Sequence, residues 1–188
     1  MRVISGTHKG RRLVAPKGLA TRPTADKVKE AVFSIIAPYL HDAIFLDLFA
    51  GSGAIGIEAL SQGAQKCIFI DKSRQAIEAV YSNLHATGFA DFSVVHNTYA
   101  ERFLKKTNLK FDIIFIDPPY AMNIAAVLGI IAEHNILADD GIIVLEQDAK
   151  TKLEQHENYR IVKEKRYGAS AVTVLEKDDS FEHCVISR

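Results

Sequence analysis

Residues 111–120 read FDIIFIDPPY, an apolar run that ends in an aspartate, two prolines and a tyrosine. The chemistry those four residues could do is to hold a planar amine. An exocyclic amine is a poor nucleophile because its lone pair is delocalised into the ring. Acceptors on both N–H bonds let the nitrogen turn pyramidal and aim that lone pair at an electrophile. The Asp117 carboxylate supplies one acceptor, and a backbone carbonyl, that of Pro118, supplies the other. Pro118 and Pro119 fix φ at about −65° and carry no competing N–H, so the carbonyls are held rigidly. Tyr120 offers a ring on which a flat base can stack, worth ~1–3 kcal/mol per base in single-strand binders. A turn that merely ends a strand accounts for the prolines, but not for the acid and the ring that flank them.

A second group of residues addresses a cofactor. LDLFAGSGAIGIEAL carries G-x-G-x-x-G as Gly51, Gly53 and Gly56, between a strand-like and a helix-like run. Glycines there let the backbone turn sharply and approach a ligand closely. The next apolar run ends in Asp71, about 20 residues on, placed to accept hydrogen bonds from ribose hydroxyls. That pairing indicates a nucleoside-containing cofactor without saying which one.

Asp47 narrows the choice. It lies inside the first strand, where a carboxylate is costly unless something pairs with it. It would repel the pyrophosphate of a dinucleotide, whereas S-adenosylmethionine brings an ammonium and a sulfonium, both positive. The structural alternative is an aspartate satisfied by backbone N–H groups. Phe49, Ser52 and Lys72 flank these positions and are expected to touch the same cofactor. The exit of the third strand, VVHNTYAERFL, should lie beside the adenine. There Asn97 or Thr98 can hydrogen-bond and Tyr99 can pack. That segment has no acid before Glu101, where many methyltransferases carry one.

Other reactive residues form no constellation. The seven histidines show no ligand spacing, so no metal site is expected. Ser5, Ser34 and Ser52 lack the surroundings of a nucleophile. Cys67 and Cys184 are far apart, and Cys67 sits in an apolar run, which points to a buried free thiol. Glu146, in VLEQD, could approach the Asp117 cleft, although a solvated strand end is the expectation.

These residues need a scaffold, and the alternation of patterns describes one. RVISG and GRRLVAP, joined by GTHKG, read as a hairpin-like arm. A helix follows, with Thr24 as N-cap, an apolar face of Val28, Ala31, Val32, Ile35 and Ile36, and Pro38 closing it. From residue 44, strands IFLDLFA, KCIFID, FSVVHN, FDIIFID and GIIVLEQD alternate with helices, among them MNIAAVLGIIAEHNIL. The strands are continuous apolar runs, as in a parallel sheet covered on both faces. The tail, YRIVKEKRYG and SAVTVLEKD, is two strands across a tight turn and must pair antiparallel. The expected fold is α/β: a doubly wound, mostly parallel sheet with one antiparallel hairpin.

A chain of 188 residues fits one domain with a full core. Hydrophobic content of 48% and charged content of 24% are those of a globular protein. No segment could serve as a signal peptide or span a bilayer, so the expected location is cytoplasmic. The formal net charge is zero but unevenly spread. Residues 1–30 hold eight Lys/Arg, including Arg11, Arg12 and Arg22, against Asp26 and Glu30, and the rest of the chain carries the balancing acidic excess. A basic arm on an acidic body suits a phosphate-binding element attached to a catalytic domain.

Together these segments resemble a known family. RVISGTHKGRRL, TRPTADKVKEAVFSII, FLDLFAGSGAIGIEALSQGA, FIDKS, FIDPPY and GASAVTVLEK stand in the order found in the RsmD-type methyltransferases of bacteria. The resemblance covers nearly the whole chain. It implies the Rossmann-like S-adenosylmethionine-dependent methyltransferase fold, seven-stranded, with a short basic, RNA-contacting N-terminal arm (residues 1–23) that belongs to the same domain as the methyltransferase unit (24–188). It implies methylation of a guanine N2 amine in 16S rRNA, free or within a partly assembled 30S particle. Gly51, Gly53 and Asp71 then inherit cofactor roles, and Asp117, Pro118, Pro119 and Tyr120 the amine-binding role. Arg22 and Thr24 would line the entrance, and Arg11 and Arg12 would meet RNA phosphates. A monomer without metal is expected. The rivals are a related enzyme acting on DNA adenine, a protein glutamine or a small molecule, a nucleotide-dependent dehydrogenase, and a non-catalytic RNA-binding assembly protein. Asp47 and the lack of a substrate domain speak against the dehydrogenase.

Overall fold

The computed structural model describes residues 1–16, 26–119 and 122–178, and within them helices and strands alternate from residue 26. They are α1 (Asp26–Leu40), β1 (Ile44–Asp47), α2 (Ala54–Ser61), β2 (Lys66–Asp71), α3 (Arg74–Thr87) and β3 (Ser93–Asn97). There follow α4 (Ala100–Leu104), β4 (Phe111–Ile116), α5 (Ile124–Glu133), β5 (Leu137–Asp148), β6 (Tyr159–Tyr167) and β7 (Ser170–Lys177). The strands form one seven-stranded sheet in the order β3-β2-β1-β4-β5-β7-β6. Strands β1 to β5 pair in parallel, and β7 is antiparallel to both β5 and β6. The fold is the one the sequence implies, with the tail hairpin forming one edge.

Both faces of the sheet's central strands are buried, which is why β1, β2, β4 and the middle of β5 are nearly continuous apolar runs. One face packs Phe45, Phe69, Phe115 and Val144 against α1, α2, α3 and the N-terminal arm. We call this the arm face. The opposite face packs Leu46, Ile68, Ile114 and Ile143 against α4 and α5.

Two boundaries differ from the sequence reading. Pro38 lies inside the last turn of α1 rather than ending it, because only one helical N–H is lost there and Leu40 is anchored in the core. Ile136 and Leu137 do not extend α5. The helix stops at Glu133, and Leu137 opens β5 opposite Phe111, ahead of a register shift in the β4–β5 pairing.

The arm is hairpin-like, as expected, though it forms only a single bridge between Arg2 and Arg12 around a short 3-10 turn at Gly6–His8. What fixes it is a buried carboxylate. Glu58 on α2 is fully buried, and its oxygens accept from the Ile4 N–H (2.7 Å), the Ser5 N–H (2.8 Å) and the Gln62 side chain (2.8 Å). The Lys29 ammonium on α1 lies 2.9 Å from the same carboxylate and also donates to the Arg2 carbonyl. A buried ion pair is tolerable only with its remaining valences filled in this way. Asn83 on α3 adds a second rivet. Its amide exchanges two hydrogen bonds with the Val14 backbone and donates a third to the Ser52 carbonyl.

Candidate active site

The glycine turn sits at the exit of β1. Gly51 and Gly53 adopt left-handed φ values of 54° and 77°, the region that favours glycine. Gly56 serves close packing instead: a Cβ there would fall 2.3 Å from the Phe69 ring and 2.5 Å from Cys67 Sγ. Cys67 is buried and free, as its apolar setting implied.

Two carboxylates brace this turn. Asp71 Oδ2 accepts from the Gly51 N–H at 2.9 Å, and its Oδ1 accepts from the Ser73 N–H at 2.8 Å. An ionised carboxylate has about four acceptor sites, so capacity for hydroxyl donors remains. Asp47 is buried under the turn, where Oδ2 accepts from the Gly56 N–H at 3.0 Å. Burial pushes its carboxyl up to about 7, against the pull of the Gly56 N–H, and the charges of Asp117 and Asp71 add to the rise. The backbone bond that the structural alternative required is therefore present, alongside an excess of negative potential.

The exits of β2 and β3 form one rim. Asn97 donates its amide to the Asp71 carbonyl (3.0 Å), and the Thr98 N–H donates to the same oxygen (3.0 Å). The Lys72 ammonium sits 5.9 Å from the centre of the exposed Tyr99 ring. Phe49 is half-buried against the opposite face, and Ser52 is buried with its hydroxyl near Met1 Sδ. Thus Asp47, Phe49, Gly51, Ser52, Gly53, Asp71, Lys72, Asn97, Thr98 and Tyr99 gather around the ends of β1, β2 and β3.

Asp117 stands just past β4, the neighbour of β1, so the glycine turn and the Asp117–Pro119 segment leave adjacent strands about 4.8 Å apart. Asp117 as a residue is exposed, yet desolvation by the protein around its carboxyl, with a smaller contribution from the Glu146 carboxylate, pushes it up to about 7. The two prolines are not equivalent. The Pro119 carbonyl accepts from the Met122 N–H at 3.0 Å, closing a turn, whereas the Pro118 carbonyl makes no hydrogen bond among the described residues. Tyr120, Arg22 and Thr24 lie outside the described residues, as does Cys184.

Glu146 corrects an expectation. It is not a solvated strand end but is buried, 7% exposed. Because Ile116 pairs with Leu145 in parallel register, the next residues, Asp117 just past β4 and Glu146 within β5, come side by side on the arm face. The signal available in the sequence was the matched position of the two acids at the ends of consecutive strands. Arg11 and Arg12 are exposed on the arm, Arg11 donating to the Ala86 carbonyl.

Comparison with known proteins settles the family. Residues 1–176 match the family model described as Conserved hypothetical protein 95. Ribosomal RNA small subunit methyltransferase D of Escherichia coli (strain K12) is 33% identical over 180 residues, 95% of this chain and 90% of that one. The chain belongs to the RsmD family. The Bacillus subtilis (strain 168) protein YlbH is 44% identical over 182 residues, 94% of this chain and 99% of the relative. The solved structure of yhhF from Escherichia coli superposes with a TM-score of 0.85 at 32% identity, covering 95% of this chain and 98% of the other. This RsmD family member therefore has a methyltransferase fold along with methyltransferase-named relatives.

Proposed function

We propose that this chain transfers a methyl group from S-adenosylmethionine to the exocyclic N2 amine of a guanine in 16S rRNA, as a monomer working without metal in the cytoplasm. The observation that carries this reading is the position of Asp117 at the exit of β4, the strand next to the one that leads into the glycine turn, on the same side of the sheet as Asp47. A cationic donor suits the site: Asp47, Asp71, Asp117 and Glu146 concentrate negative charge there, and acid-induced repulsion within that group is relieved by a positive ligand.

When bound, S-adenosylmethionine supplies a methyl group on a positively charged sulfur. Asp71 holds the ribose hydroxyls with its unused acceptor sites, and Asn97, Thr98 and Tyr99 flank the adenine. Asp47, with Phe49, Gly51, Ser52, Gly53 and Lys72, shapes the remaining wall. Asp117 and the Pro118 carbonyl accept the two N–H bonds of the amine and turn its lone pair toward the methyl carbon, while Pro119 fixes the turn and Tyr120 stacks on the base. The gain is alignment, together with acceptors that strengthen as positive charge develops on nitrogen. Asp117 also holds the proton that the nitrogen sheds. The guanine must be unstacked to reach this depth. Arg11 and Arg12 bind RNA phosphates, and Arg22 and Thr24 line the entrance.

The test is incubation with labelled donor and, in parallel, undermethylated 30S particles, naked 16S RNA, DNA or bulk protein. Label is expected in the RNA. Label confined to DNA or protein overturns the substrate assignment.

A further inference from the structure

Strand β6 forms the outer edge of the sheet, and between Arg160 and Arg166 every residue is exposed. It carries four cations, Arg160, Lys163, Lys165 and Arg166, against Glu164 alone. Its register with β7 sorts them by face. Lys163 pairs with Val174 and Lys165 with Val172, both of which belong to the arm-face core. Glu164 and Arg166 alternate onto the opposite face, where Arg166 Nε lies 3.5 Å from a Glu164 carboxylate oxygen. Arg160 is paired with Glu176 at 2.9 Å. Among the described residues Lys163 and Lys165 make no ion pair.

The lysines also lie in line with the candidate site. Lys165 pairs with Val172, Val172 pairs with Glu146, and Glu146 lies beside Asp117, so one transverse row joins them. Three strand spacings place Lys165 roughly 14 Å from Asp117, on the same face. Edge lysines also discourage edge-to-edge pairing, but that role is indifferent to face, whereas the unpaired cations here are both on the arm face.

We propose that Lys163 and Lys165 form a second phosphate-binding surface, which holds the RNA backbone leading away from the base seated at Asp117. The arm grips one side of the target and β6 the other. This rests on the reading of the chain as an RNA methyltransferase. The occupant is RNA rather than a protein strand, because compact ammonium groups without partners complement phosphates and would oppose docking of another basic edge.

The test uses the full chain and naked 16S RNA, with binding measured between 50 and 200 mM salt. Lys163→Gln/Lys165→Gln is compared with Lys105→Gln/Lys106→Gln, which removes equal charge beside α4 on the opposite face. The β6 variant is expected to lose affinity on the order of tenfold or more at 0.1 M salt, with the salt slope falling by about 1.5, two contacts fewer. Its affinity for S-adenosylmethionine should be unchanged, and the α4 variant should bind RNA as the unaltered chain does. Equal RNA affinity for all three proteins overturns the β6 surface alone, and so does an equal loss in both variants. An unaltered chain that binds RNA without salt dependence overturns the RNA reading itself.

Discussion

The Asp71 carboxylate is hydrogen-bonded to the Gly51 N–H at 2.9 Å, so the acid at the end of β2 sets the position of the glycine turn at the end of β1. Its other oxygen holds the Ser73 N–H and with it the start of α3. Asp71→Ala should therefore do more than remove a ribose contact, because the turn loses its brace as well. Hydrogen bonds to charged groups contribute about 1.5–3 kcal/mol each. Calorimetric titration with S-adenosylmethionine should show affinity lowered at least tenfold, with the fold retained by circular dichroism. Unchanged affinity would remove Asp71 from the site.

Asp117→Asn keeps the shape of the side chain and one acceptor oxygen, but it is a weaker, uncharged acceptor and cannot take the proton. Methyl transfer should drop by roughly 10²–10⁴-fold, the range of a positioned acid–base group. Cofactor affinity should hold or fall modestly, as one of the negative charges that attract the cationic donor is removed. A rate within a factor of three of the unaltered protein would contradict the role given to Asp117.

The carboxyls of Asp47 and Asp117 are both pushed up to about 7, chiefly by desolvation. Ionised forms are needed to attract the donor and to accept from the amine, so activity and donor affinity should both rise with pH through about 7. Binding of the cation near pH 7 should release protons, seen as a buffer-dependent heat. Stability runs the opposite way. The native state binds more protons than the unfolded chain between about pH 4 and 7, so stability from these groups is full below that window and is lost as pH rises through it. A melting temperature that climbs steadily from pH 5 to pH 8 would contradict these assignments.

How far the sequence disclosed this arrangement varies by element. The glycine turn, Asp71 and the β4 exit were legible because each depends on local chemistry: a turn, a strand end, a fixed spacing. The sheet was legible because burial on two faces writes continuous apolar runs. Glu146 was misread because its burial comes from β5 lying between β4 and β7, a tertiary fact with no local mark. Lys29 and Glu58 give no signal either, since a lone Lys and a lone Glu in helical runs look like surface residues until the arm covers them. The arm's charge is legible in its sequence, whereas the burial of Val3 and Leu13 in the core is not, because isolated apolar residues in a basic segment carry no periodic mark.

The Lys29–Glu58 pair accordingly carries structural weight. Lys29→Met leaves Glu58 charged and buried with only neutral donors, a change that typically costs about 3–5 kcal/mol. For a chain of this size that corresponds to a fall in melting temperature on the order of 10 °C. The Lys29→Met/Glu58→Gln double variant should recover part of the loss. Scanning calorimetry that shows the single variant melting with the unaltered protein would refute the buried pair.

The central claim is that Asp117 presents a guanine amine to a methyl donor. The most direct measurement digests RNA, labelled by this protein in undermethylated 30S particles, to nucleosides and identifies the labelled species by mass and retention. The account predicts that label elutes as N2-methylguanosine and disappears with Asp117→Ala. Label in methyladenosine or on a ribose, or label that persists in the Asp117→Ala variant, would contradict it.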